Sequence, residues 1–224
     1  MMQAPVGVVV PAAGAGVRMG PGAAKALRLL AGEPLLVHAV RRLRDCPSVG
    51  PVVVAAPADS RDEVERLLAA FDVQVVAGGA ERQDSVAAAL AALAEDVELV
   101  LVHDAARPLV PVAVVEAVVA ALRAGAQAVV PVLAVADTIK QVDPAGLVVA
   151  TVPRQDLRAV QTPQGFRRQV LVDAHARATG PATDDAGLVE AVGGQVGTVP
   201  GSPAALKVTH PFDLLVAEAV LRHG

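Results

Sequence analysis

A stretch that is apolar at every position has to be buried on both of its faces, and Val6-Gly7-Val8-Val9-Val10 is such a stretch. It stops at Pro11-Ala12-Ala13-Gly14-Ala15-Gly16, a loop built from the smallest residues. A strand inside a sheet that carries helices on both sides meets that demand. The rest of the chain repeats the pattern: Pro51 to Ala55, Val73 to Val76, Leu99 to Val102 and Ala128 to Val132 read as further strands. Helix-patterned stretches separate them. Glu33 to Leu43 puts Leu36, Val37, Val40 and Leu43 on one face, and Ser60-Arg61-Asp62-Glu63 has capping-box spacing for a helix through Ala70. Asp84 to Leu93 follows, and then a helix to Arg123 with Pro111 in its first turn. The expected class is α/β with a mostly parallel, twisted sheet, whose ligands sit beyond the carboxyl ends of the strands.

With 224 residues, 54% of them hydrophobic, the chain has room for one domain spanning 1–224 and for a substantial core. A net charge of −4 gives no general pull toward nucleic acid or an anionic membrane. Phe71, Phe166 and Phe212 are the only aromatic residues of the Phe, Trp and Tyr kind, which leaves no platform for stacking bases of a single strand. Cys46 is the single cysteine and reads as a buried small hydrophobe, so neither a disulfide framework nor a cysteine zinc site fits one chain. The apolar N-terminus lacks the basic start of a signal peptide, and the uncharged stretch Ala124 to Ala136 is short and interrupted by Pro131. The expectation is a cytoplasmic protein with no membrane span.

One segment breaks the alternation of strand and helix. Thr138 to Val142 and Leu147 to Val152 alternate in polarity around Asp143-Pro144-Ala145-Gly146, which has turn chemistry. This is a β-hairpin arm over 138–152. An isolated hairpin is marginal in water, so it needs a surface: either its own domain or a second subunit.

The strand ends hold the unusual residues. After the first strand come Gly14, Gly16, Arg18 and Gly20, then Lys25, a combination of close backbone approach and mobile positive charge that suits phosphate. The spacing misses the dinucleotide fingerprint by one residue, and Lys25 lies between alanines rather than in Gly-Lys-Ser. An ordinary Gly-rich turn with solvated cations has the same composition. Gly78-Gly79-Ala80-Glu81-Arg82-Gln83-Asp84-Ser85 ends the third strand; Ser85 can meet a base edge or simply cap a helix. His103-Asp104-Ala105-Ala106-Arg107 ends the fourth, with Asp104 able to hold Mg²⁺, a ribose hydroxyl or Arg107. Thr162 and Thr183 each read as preceding a helix, as N-caps, and Lys207-Val208-Thr209 comes just before the last helix. His38, His175 and His223 read as helix-face residues, and no histidine spacing supports a metal.

Arg18, Lys25, Arg82, Arg107, Arg154 and Lys207 accumulate around one acid, Asp104, with no nucleophile elbow and no cysteine–histidine pair. That set suits polyphosphate. Phosphoryl and nucleotidyl transfer depend on positioning and charge neutralisation. An attacking phosphate monoester, with a second pKa of about 6, is already mostly a dianion at neutral pH and needs no general base.

These blocks, in order — Pro11 to Met19 with Lys25, Gly78 to Val86, Val102 to Pro108, Asp137 to Lys140, Gln161 to Gln164, Thr183 to Asp185, and Lys207 to Thr209 — resemble the 2-C-methyl-D-erythritol 4-phosphate cytidylyltransferases of non-mevalonate isoprenoid synthesis. The resemblance covers nearly the whole chain. It implies a Rossmann-like nucleotidyltransferase fold, CTP as co-substrate, Mg²⁺ as cofactor, and a homodimer clasped by the 138–152 arm. It implies that Arg18 and Lys25 stabilise the transition state, and that Ala12, Ala13, Gly14, Gly16, Gly79, Arg82 and Ser85 form the nucleotide pocket. Asp104 resembles the acid near ribose, metal and acceptor. Arg107, Thr138, Arg154, Thr162, Thr183 and Lys207 resemble the acceptor site, with Arg154 and Lys207 gripping its phosphate and Arg154 placed to serve the neighbouring subunit. A cytidylyltransferase for another polyol phosphate, such as ribitol 5-phosphate, is the nearest alternative. The chain departs from the family pattern at Ala24, where proline is usual, at Ala80, where an acid is common, and at Ala205, where asparagine is usual.

Overall fold

The computed structural model describes residues 6–14, 24–177, 180 and 182–223. The chain begins with β1 (Val6–Pro11) and, beyond a short 3-10 turn at Lys25–Leu27, forms the small antiparallel pair β2 (Leu29–Leu30) and β3 (Glu33–Pro34). Then come α1 (Leu35–Arg44), β4 (Val49–Ala56), α2 (Arg61–Leu67), β5 (Gln74–Ala77), α3 (Arg82–Ala92), β6 (Leu99–Val102), α4 (Val112–Arg123) and β7 (Ala128–Ala134). The second half holds β8 (Ile139–Val142), β9 (Val148–Val152), β10 (Arg158–Val160), β11 (Gln164–Arg167), α5 (Arg168–Arg177), α6 (Asp185–Ala191), β12 (Val196–Pro200) and α7 (Pro211–His223).

The main sheet has the order β10-β7-β11-β6-β1-β4-β5, with β12 also paired to β7. β4, β1, β6 and β5 run parallel to their partners among themselves, and β12 is parallel to β7. β11 is antiparallel to both β6 and β7, and β10 is antiparallel to β7. β1 lies between β4 and β6, and its valines are fully buried, as an all-apolar strand requires. Val6, Val8 and Val10 face a core built with α1, α2 and α4, while Val9 faces one built with α3, α5 and α6. A third cluster of Leu30, Leu35, Leu109, Val208 and Ala217 seats α7 beside β2 and β3.

Several boundaries differ from the sequence reading for physical reasons. The first helix starts at Leu35, because Pro34 lacks an N–H and biases Glu33 toward extended backbone. Ser60 makes no side-chain cap; its hydroxyl donates to Asp59 Oδ1 at 3.2 Å. A capping box forms instead at α3, between Glu81 and Asp84. Thr162 precedes a strand, β11, and Asp184 rather than Thr183 caps α6, accepting from Gly187 N at 3.0 Å.

The 138–152 hairpin forms as its own two-stranded sheet, β8 with β9. Asp143 builds the turn: its Oδ1 accepts from Ala145 N and Leu147 N, both at 2.9 Å, and Gly146 takes a φ of +82° that a side chain would resist. Val142, Leu147, Val148 and Val149 are all exposed along it.

Candidate active site

From β1 the chain travels to β4 and β5 on one side of the sheet, then crosses back through α3 to β6 on the other. Loops therefore diverge beyond the carboxyl ends of β1 and β6, and a crevice opens where they part. A pocket of about 370 Å³ lies there. Pro11 to Gly14, Gly79 to Arg82 with Ser85, and Asp104 to Ala106 line it from three strand ends. Lys25 and Ala26 enter from the 3-10 turn, and Lys207 and Thr209 from the segment before α7.

Each loop leaves its strand on one more ladder bond. Ala12 N donates to Ala55 O at 2.8 Å, Gly78 N to Ala56 O at 2.7 Å, and His103 N to Val9 O at 2.9 Å. The loops then press together. A Cβ on Gly78 would fall 2.6 Å from Ala13 Cβ, inside van der Waals contact, so the wall is closed by backbone and methyl groups. Ser85 is buried and ties the same loop: its hydroxyl donates to Glu81 O and accepts from Gly79 N, each at 3.2 Å.

Asp104 is the electrostatic centre. Lys207 Nζ sits 2.7 Å from Oδ2, and Arg82 Nε donates to Oδ1 at 3.3 Å. Burial works against the carboxylate, but Arg82, Lys207 and the charge of Arg107 outweigh it and hold the carboxyl far below the ordinary range. Asp104 is thus ionised at any working pH. Its backbone N donates to Thr162 Oγ1 at 3.0 Å, and that hydroxyl lies 3.1 Å from His103 Nδ1. His103 Nε2 lies 3.1 Å from Arg107 O, which can only accept. The network therefore assigns the proton to Nε2 and makes Thr162 the donor to Nδ1. Burial pushes the His103 pKa down to about 4, so the ring is neutral near pH 7.

The sequence-derived residues divide clearly. Ala12, Ala13, Gly14, Lys25, Gly79, Arg82, Ser85, Asp104 and Lys207 all line the pocket. Arg18 and Gly16 lie outside the described residues. Arg107, Thr138, Arg154, Thr162 and Thr183 are not among its lining residues. Arg107 is buried and donates to Ala205 O at 2.7 Å and Val160 O at 3.1 Å, so the Asp104–Arg107 pair does not form; Lys207 and Arg82 take the carboxylate. The Ala205 carbonyl accepts from Gln161 Nε2 as well, at 3.3 Å. Thr138 and Arg154 are exposed at the base of the arm, where Arg154 donates to Ala136 O, and Thr183 is exposed just before α6. Sequence reasoning gave no site role to Glu81, next to Arg82, or to Thr209, two residues beyond Lys207, and both line the pocket. It also gave no role to Asp185, the last residue of the Thr183 to Asp185 block, which is fully buried and accepts from Arg82 Nη1 at 2.7 Å.

Among the described residues, no group of three His, Cys, Asp or Glu side chains is placed to hold a metal ion. Both Asp104 oxygens already face cations, and Glu81 is engaged in its capping box. This donor set fits an ion that arrives bound to substrate phosphates and takes at most one protein carboxylate. Among the described residues no helix is long and apolar enough to cross a membrane.

Residues 6–223 match the family model described as IspD, 2-C-methyl-D-erythritol 4-phosphate cytidylyltransferase. The protein of that name from Saccharopolyspora erythraea is 60% identical over 218 residues, covering 95% of this chain and 97% of its own length. The Streptomyces avermitilis protein of the same name is 56% identical, over 95% of this chain and 90% of its own. Among solved structures, the 2-C-methyl-D-erythritol 4-phosphate cytidylyltransferase of Thermus thermophilus superposes with a TM-score of 0.81 at 40% identity, covering 97% of this chain and 99% of that one. These neighbours share a Rossmann-like nucleotidyltransferase fold.

Proposed function

The chain belongs to the 2-C-methyl-D-erythritol 4-phosphate cytidylyltransferase family, and from that premise we propose how its pocket works. The enzyme transfers the cytidylyl group of CTP to 2-C-methyl-D-erythritol 4-phosphate, giving 4-diphosphocytidyl-2-C-methyl-D-erythritol and pyrophosphate. Nothing favours ribitol phosphate as the acceptor. The observation that carries the site reading is one pocket lined by Lys25, Arg82 and Lys207, the last two held against the ionised Asp104, beside a backbone-lined wall.

CTP lies with its base against Ala12 to Gly14 and Gly79 and its phosphates toward Lys25 and Arg82. The hydrogen of the Ser85 hydroxyl is already given to Glu81 O, so Ser85 meets the pyrimidine as an acceptor or acts through the backbone it holds. Asp104 is the carboxylate that would meet a Mg²⁺ ion carried by the triphosphate, and that ion would supply neutralisation of phosphate charge. The acceptor phosphate, mostly a dianion near pH 7, attacks the α-phosphorus in line. A new P–O bond forms as the bond to the bridging oxygen of the β-phosphate breaks, and that oxygen leaves with the electron pair in pyrophosphate. No base is needed, and the neutral His103, facing Thr162 and the Arg107 carbonyl, is not placed as one. The protein's contribution is preorganisation: Asp104 pins Lys207 and Arg82 before substrate arrives, so cations aimed at the developing charge need not reorganise.

Arg107, Thr162 and Lys207 support the acceptor side next to Asp104. Thr138 and Arg154 sit at the base of the arm, outside this pocket's lining, and their contribution goes to the acceptor site of a second subunit. The arm's exposed valines and Leu147 support that homodimer. We place the enzyme, as one catalytic domain over 1–224, in the cytoplasm, where CTP is held and where the free thiol of Cys46 stays reduced. Pyrophosphate release from CTP and Mg²⁺ tests the reading: turnover is expected with methylerythritol phosphate and not with ribitol 5-phosphate. Equal use of ribitol 5-phosphate would overturn the acceptor assignment.

A further inference from the structure

Five side chains run in single file from the pocket into the body of the protein. Lys207 meets Asp104 Oδ2 at 2.7 Å, and Asp104 Oδ1 accepts from Arg82 Nε at 3.3 Å. Arg82 Nη1 donates to Asp185 Oδ2 at 2.7 Å, and Asp185 Oδ1 lies 3.0 Å from His175 Nε2. The full charges alternate in sign along the file, so each buried carboxylate is met on two sides. Asp185 is wholly buried on α6, and the His175 side chain on α5 is only 8% exposed. Neither lines the pocket.

The far end of this file is anchored more firmly than the near end. Gln164 Oε1 accepts from Asp185 N at 3.2 Å and Ala186 N at 3.1 Å, while its Nε2 donates to Asp184 Oδ2 at 2.6 Å. Asp185 is therefore locked through its own backbone as well as by His175. Arg82, by contrast, is 31% exposed and opens onto the pocket. A long side chain at that exposure has several rotamers open to it. Its grip on Asp185 restricts it to one.

We propose that Asp185 and His175 are positioning residues for cytidylyl transfer. They hold the Arg82 guanidinium in the nucleotide pocket from behind, at a distance from any substrate atom. This inference rests on the reading of the pocket as the CTP site, and the test separates the two.

Steady-state kinetics with CTP and methylerythritol phosphate, read beside melting temperatures, make the test. Arg82→Ala sets the scale, with kcat/KM for CTP expected to fall by roughly tenfold or more, as for loss of a charged donor. Asp185→Asn, which keeps shape but not charge, is expected to give a loss of the same order while KM for the acceptor holds. In the Arg82→Ala background, Asp185→Asn should do nothing further, because both changes remove one interaction. His175→Gln retains a donor toward Asp185 and should stay within about twofold of the parent, while His175→Leu should lose several-fold in kcat/KM for CTP. Near-normal kinetics for Arg82→Ala would sink the pocket reading and this inference together. A damaged Arg82→Ala enzyme beside Asp185→Asn and His175→Leu enzymes that only melt lower would sink the inference alone. Additive losses in the double variant, or His175→Gln failing as badly as His175→Leu, would also overturn it. If Asp185→Asn yields no folded protein, the two His175 variants decide.

Discussion

The pocket and the hairpin arm are opposite solutions to the problem of incomplete burial. In the pocket, the carboxylates of Asp104 and Asp185 are enclosed, and the Lys207–Asp104–Arg82–Asp185 file supplies each with a cation from the same chain. In the arm, polar requirements are met locally by the Asp143 turn and the Lys140–Thr151 contact of 2.6 Å, while apolar side chains stand open: Leu147 is 67% exposed. The ion pairs of the pocket close within this chain, whereas the arm leaves its apolar side chains uncovered. The site and the arm thus rest on different forces, one electrostatic and one hydrophobic, and they should fail under different insults.

The largest expected effect strikes the pocket alone. Lys25→Ala should lower kcat by roughly 10²-fold or more, the scale for removing one preorganised transition-state donor, with the circular dichroism spectrum and the oligomeric state unchanged. Near-normal turnover would remove Lys25 from its assigned role. Next comes the arm. Leu147→Asp with Val149→Asp should raise a dimer dissociation constant by roughly 10²- to 10⁴-fold, since each fully buried aliphatic side chain is worth about 1.5–3 kcal/mol. Sedimentation reads the result; an unchanged assembly would place the interface elsewhere. If the arm carries Arg154 toward a partner's site, Arg154→Ala should raise KM for the acceptor more than KM for CTP.

Acid should then distinguish the two regions by stability. His103 titrates near 6.5 when unfolded and near 4 when folded, so between those values the unfolded chain binds the extra proton. Stability is complete above pH 6.5 and falls as pH drops toward 4, by roughly 2 kcal/mol between pH 7 and 5. Hydrogen exchange should show residues 99–107 and 161–164 loosening first, while the hairpin is indifferent. His103→Gln should flatten that dependence; an unaltered slope would mean another group carries it. The smallest effect is a control on both regions: breaking the exposed Arg61–Glu65 pair, at 2.9 Å, by Glu65→Ala should change stability by less than about 0.5 kcal/mol.

The parts of the fold that were legible in the sequence are those where burial dictates composition. β1, β4, β6 and β7 are runs of valine, leucine and alanine because both faces are covered, and the hairpin announced itself through period-two alternation around a Pro-Gly turn. β11 escaped because Gln164-Gly165-Phe166-Arg167 holds a single large apolar residue, yet it lies between two strands; its Gln164 is buried by capping α6 rather than by being apolar. β12 is hidden by Gly197 and Pro200, which it tolerates by pairing along one side. In the site, residues whose charge faces the crevice were legible from type and order along the chain. The internal bracing was not, because it depends on which side chain reaches which loop across long separations. Arg82 to Asp185 spans 103 positions, and no local pattern encodes such a contact.

The meeting of Gly78 with Ala13 carries a last consequence, for resistance. A wall made of main chain and methyl groups offers evolution few side chains to exchange, and at Gly78 any larger residue would drive into Ala13 or the Ser85 hydroxyl. An inhibitor that takes its affinity from that wall confronts the enzyme with changes that damage the pocket's own shape. One that also engages Lys25 meets a side chain whose loss is itself expected to lower kcat by roughly 10²-fold, so escape variants there should be slow enzymes.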